Sequence, residues 1–117
     1  MSAAWESLHR ATLELASQYS IKQRLTRAFS SHLQDLDPAD LPAEVRGRFT
    51  DLAARMTRVP PLRGETAVSA TVRKMSNDEA GECAQQIVDI LAALGVQQGE
   101  VQRPRPRKVL SLYAAEA

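Results

Sequence analysis

The chain has 117 residues, enough for one modest hydrophobic core and too few for two. Its aromatic residues are Trp5, Tyr19, Phe29, Phe49 and Tyr113, so the core has to be built from Leu, Ile, Val, Ala and Met, which favours helices over a sheet. The formal charge of +1 is unevenly spread: residues 1–100 hold 11 Lys and Arg against 13 Asp and Glu, whereas residues 101–117 hold 4 against 1, so only the tail is basic enough to suggest a polyanionic partner.

Trp5, Leu8, Thr12, Leu15 and Tyr19 recur at steps of three and four and predict a first helix over 3–18, with Ser2 placed to cap it. Ser20-x-x-Gln23 is a capping-box pattern. It opens a second helix over 21–36 whose apolar face is Ile21, Leu25, Ala28, Phe29, Leu33 and Leu36. The junction is short and free of glycine, which leaves an antiparallel hairpin and a single kinked rod both open.

Asp37-x-x-Asp40 marks another start, with Pro38 suited to a first helical position and Leu36 and Leu41 spaced for a hydrophobic staple. Pro42 marks a second start after one short turn. The third helix then runs to about Arg58 with Val45, Phe49, Leu52, Ala53 and Met56 on one face. Gly47 within it implies either a close helix crossing or a tolerated exposed position.

Val59-Pro60-Pro61-Leu62-Arg63-Gly64 predicts an extended loop. A short fourth helix begins near Thr66 with Val68, Val72 and Met75 on its face, against the modest helix propensity of its β-branched residues. Ser76-x-x-Glu79 then caps a fifth helix. Its wide stripe is Ala80, Cys83, Ala84, Ile87, Val88, Leu91 and Leu94, with Gly95 as the expected C-terminal cap. Residues 97–117 read as a flexible tail in which Arg103-Pro104-Arg105-Pro106-Arg107-Lys108 favours extended polyproline geometry and Val109-Leu110-Ser111-Leu112-Tyr113 is an apolar patch.

The chemistry-bearing residues do not converge on a known catalytic pattern. Glu6-x-x-His9 has the spacing of one half of a helical di-metal site, but the second Glu-x-x-His that such a site needs is missing, since Phe29 stands three residues before His32. Cys83 falls in the apolar stripe, where a thiol is held protonated and inert. Ser31 and His32, adjacent on a helix, point about 100° apart and cannot act as nucleophile and base for one another. The glycines match neither a dinucleotide fingerprint nor a phosphate loop. No catalytic residue, cofactor or metal ligand is therefore expected.

A single cysteine excludes an internal disulfide framework and fits a reducing compartment. The opening residues lack the basic and apolar regions of a secretory signal, and the most apolar window, 87–96, is far short of the roughly 20 residues a membrane span requires. The expectation is an all-α, cytoplasmic bundle of four to five helices over residues 1–96, with a tail over 97–117 and no membrane association. Its thin core suggests a homodimer that buries the stripe of the fifth helix. The function expected is a non-catalytic interaction or regulatory role. Partner docking is assigned to Arg103, Arg105, Arg107, Lys108, Leu110, Leu112 and Tyr113. The alternative is a nucleic-acid-associated protein that sets the tail cations on phosphates.

Overall fold

In the computed structural model of the protein, residues 3–102 are described, with side chains described for 3–96. The first two helices form a hairpin. Helix α1 (Ala3–Leu15) stops earlier than its apolar spacing predicts, because Ala16 and Ser17 donate backwards to Leu13 and Glu14 and tighten its end into a turn. The Ser17 hydroxyl donates to the Glu14 carbonyl as well. Ser20 then caps α2 (Ile21–Ala28) as the sequence implies: its hydroxyl accepts from the Gln23 amide and its own amide donates to the Gln23 side chain. Arg24 reaches back to donate from Nη1 to the Leu15 carbonyl at 2.9 Å, satisfying an open carbonyl at the end of α1. Tyr19 consequently lies in the connection, 41% exposed, rather than on the α1 stripe.

The second helical segment changes pitch. After Ala28 the chain passes into a π-helical turn, Phe29–Leu33, in which the Gln34 amide donates five residues back to Phe29. Phe29 and Leu33 are both buried, while Ser30 and Ser31 face solvent. Asp37 accepts from the Ala39 amide and starts a single 3-10 turn, Pro38–Asp40. Pro42 precedes α3 (Ala43–Met56), which buries Val45, Phe49, Leu52 and Met56. Leu36 packs against the core to which Leu41 belongs. Gly47 faces open space, so it is a tolerated exposed position and not a helix crossing.

Residues 59–64 form the expected loop and end at Gly64, whose φ of 80° favours glycine. Thr66 caps α4 (Ala67–Lys74) by accepting from the Ser69 amide. This helix forms despite its β-branched residues because Val68, Ala70, Thr71 and Val72 are all buried, and tertiary packing outweighs the small propensity cost.

Ser76 and Glu79 then form a full capping box ahead of α5 (Asn77–Gln102). Here the structure corrects the sequence in two places. Gly95 does not terminate the helix, which continues to Gln102. Val88 is 39% exposed, and Ile90 takes the buried position beside Ile87 and Leu94.

The long α5 is the axis of the bundle, with α1, α2 and α3 packed along it and α4 held against α2 and α3. Arg55, near the end of α3, meets Glu82 near the start of α5, while Arg48 and Asp51, earlier in α3, share a surface depression with Asp89 and Ile90 further along α5, so these two helices run antiparallel. Trp5, at the start of α1, lies beside Gly95. The core is therefore shared by all five helices, and its side chains are Leu, Ile, Val, Ala, Met and Cys with Phe29 and Phe49. At about 1.5–3 kcal/mol for each large apolar side chain removed from water, this burial is the main force holding the helices together. The α5 stripe expected to serve a second copy, notably Ala80, Cys83, Ile87 and Leu94, is covered within the chain itself.

Candidate binding groove between the second and fourth helices

Two caps position a concavity between α2 and α4. Ser20 fixes the start of α2, so that Lys22, Gln23, Thr26 and Arg27 share one face, and Thr66 fixes the start of α4, so that Ser69, Val72 and Arg73 face them. Together with Tyr19 these residues line an open groove of about 350 Å³. Three of the eight lining side chains are cations and none is a carboxylate.

Each arginine is paired with a carboxylate that is not part of the lining. Arg73 makes a two-point contact with Glu65, Nε to Oε2 at 2.7 Å and Nη2 to Oε1 at 3.1 Å, and the Leu62 amide donates to Glu65 as well. The Arg73 guanidinium, helped by the Leu62 amide, holds the Glu65 carboxyl below the usual range, and Glu65 in turn raises Arg73. Arg27 lies over the Tyr19 ring, 4.6 Å from its centre, and its Nε donates to Glu14 Oε2 at 3.2 Å. That contact, with His32 Nε2 placed 3.5 Å from Glu14 Oε1, lowers the Glu14 pKa. Lys22 Nζ donates to the Arg73 carbonyl at 3.2 Å, where the last carbonyls of α4 attract a cation.

The other candidate residues are dispersed. His9 stacks on Trp5, with ring centres 4.7 Å apart, while Glu6 approaches Arg10 at 3.8 Å on the surface. Among the described residues no three His, Cys, Asp or Glu side chains are grouped to hold a metal ion. Cys83 is fully buried and burial pushes its thiol pKa up. Ser31 is exposed, and His32 turns to Glu14 instead. Arg103, Arg105, Arg107, Lys108, Leu110, Leu112 and Tyr113 lie outside the described residues. Among the described residues no helix is long and apolar enough to cross a membrane.

The groove is the feature that reading along the chain misses. Lys22 and the Arg73 carbonyl it bonds are 51 residues apart, and only the packing of α4 on α2 brings the cations together. The nearest sequence signal is the pair Arg73 and Lys74, which reads equally well as a solvated helix end. No protein-family model, curated protein or solved structure matches the chain.

Proposed function

We propose that this is a small non-catalytic interaction or regulatory protein, working in a reducing compartment such as the cytoplasm, that docks partners through helix faces and its C-terminal tail. The observation that supports this reading is the length of α5. At 26 residues it spans about 39 Å, against roughly 20 Å for the 13-residue α1. Trp5, close to the start of α1, already lies beside Gly95, so the last turns of α5 outrun that helix and lead directly into the basic segment that begins at Arg103.

In this reading the bundle is a scaffold. Arg103, Arg105, Arg107 and Lys108 meet an acidic partner surface, and Leu110, Leu112 and Tyr113 supply an apolar anchor. A second copy pairing through α5 meets Val88, Ala92 and Val96, its exposed members, and not the covered stripe.

The test compares the full chain with a truncation after Gln102, by light scattering and by titration with polyglutamate and with duplex DNA. Loss of self-association or of polyglutamate binding on truncation supports the reading. Steeply salt-dependent binding of DNA in place of polyglutamate favours a phosphate-directed tail, and unchanged behaviour in every assay refutes a docking role for the tail.

A further inference from the structure

We propose that the groove between α2 and α4 binds a single carboxylate side chain of an acidic peptide segment, with Lys22 as its principal charge partner and Arg27 and Arg73 flanking it. This site is separate from the tail and is carried by different observations.

The first is charge. Lys22, Arg27 and Arg73 line the concavity with no acid among them, while Glu14 and Glu65 sit behind the two arginines. The five groups sum to one positive charge, which a singly charged ligand balances. A polyphosphate strand brings several negative charges to a site whose five groups leave one positive charge, with Glu14 and Glu65 behind the arginines opposing the excess, so the arrangement disfavours nucleic acid.

The second is donor capacity. Among the described residues, Arg73 uses Nε and Nη2 on Glu65 and has Nη1 uncommitted, Arg27 uses Nε on Glu14 and has both Nη groups uncommitted, and Lys22 spends one of three N–H bonds on the Arg73 carbonyl. Gln23, Thr26 and Ser69 add neutral polar groups to the lining. The two arginines are already oriented by their carboxylates and by the Tyr19 ring, so little side-chain freedom is lost when a ligand arrives.

The third is shape. The site is an open trough between two helices rather than an enclosed cavity, and its exposed apolar lining is the Tyr19 ring, with Val72 almost wholly buried beneath. An extended peptide with an aliphatic residue beside its acid matches both features.

The experiment uses the full-length protein, isotope-labelled, and the capped tripeptide Leu-Glu-Leu, with Leu-Gln-Leu and inorganic phosphate as comparison ligands. Chemical shifts of the Arg27 and Arg73 Nε–H groups report on the groove without interference from the tail. The expected result is a saturable shift with Leu-Glu-Leu and binding at least about tenfold weaker with Leu-Gln-Leu, the loss that follows from removing one charge-assisted contact. Lys22→Ala is expected to weaken binding by a similar factor. Because Lys22 also contacts the end of α4, a second variant is needed. Ser69→Glu, at a hydroxyl with no hydrogen bond among the described residues, places a competing carboxylate in the trough and is expected to abolish the shift with the circular dichroism spectrum unchanged. Equal affinity for the Glu and Gln peptides, tighter binding of phosphate, or full binding by Ser69→Glu overturns the proposal. Such a failure leaves the tail reading standing, since truncation after Gln102 tests that separately.

Discussion

Replacing Thr71 with valine tests how the proline-rich loop is held to the bundle. Thr71 is fully buried, and among the described residues it is the one buried polar side chain; its hydroxyl oxygen accepts the Val59 amide at 3.0 Å. Valine has nearly the same shape, so Thr71→Val opens no cavity and removes only the acceptor. An amide left without a partner costs about 1–3 kcal/mol, and burying a methyl in place of the hydroxyl returns up to about 0.8 kcal/mol. The net loss is about 0.2–3 kcal/mol, centred near about 1.5 kcal/mol. At 117 residues the chain lies between domains in which 1 kcal/mol moves Tm by about 4–8 °C and larger ones in which it moves Tm by about 2–4 °C, so a fall of roughly 4–9 °C is expected by calorimetry. Thr71→Ser loses about 1 kcal/mol through its missing methyl group and lowers Tm by a comparable amount, so melting alone does not separate the two causes. Hydrogen exchange does: the Val59 amide is expected to exchange faster in Thr71→Val and to stay protected in Thr71→Ser. Unchanged Tm and unchanged Val59 exchange in Thr71→Val would refute the argument.

Other perturbations test other parts of the structure. Gly95→Ala places a methyl 3.9 Å from Trp5 Nε1, an ordinary contact, and is expected to stabilise α5 by about 1 kcal/mol in urea titration; destabilisation would mean that the indole needs the space. Ser76→Ala removes the cap of α5 and is expected to cost about 1 kcal/mol, with a lower urea midpoint and an unchanged slope. Acid should lower the stability of the protein through Glu14, Glu65 and Glu79. Their folded pKa values are lowered, chiefly by Arg27, by Arg73 and by the Ser76 amide respectively, so their stabilisation is complete above the unfolded value of about 4.3 and is lost as pH falls through the lower folded values. Tm measured from pH 6 down to pH 2 should therefore be flat at first and then drop; a drop that is complete above pH 5 would contradict this assignment.

What could be read along the chain was local. The Ser20, Thr66 and Ser76 caps appear because each is a short-range bond between a side chain and an amide three residues away. The buried faces of α3 and α4 follow their apolar spacing. The failures came where distant parts of the chain decide. The end of α1 tightens at Ala16 and Ser17, with Arg24 from the next helix taking up the Leu15 carbonyl, and the π turn at Phe29–Leu33 has no pattern distinct from an α-helix at that length. Gly95 was misleading because glycine is common just past a helix end yet is also tolerated inside a helix at a cost of about 1 kcal/mol, and here a methyl would meet Trp5 only at ordinary contact distance. The groove was invisible for a different reason. Its arginines become a site only when Glu14, Glu65 and Tyr19 arrive from other segments to orient them.

The lone sulfhydryl at Cys83 has a practical consequence. It is enclosed by the packed helices, so a small alkylating reagent reaches it only when those helices part. With excess reagent at mildly alkaline pH, the labelling rate counts breathing events. Mass spectrometry then follows them unambiguously, because the chain offers one target and needs no engineered probe.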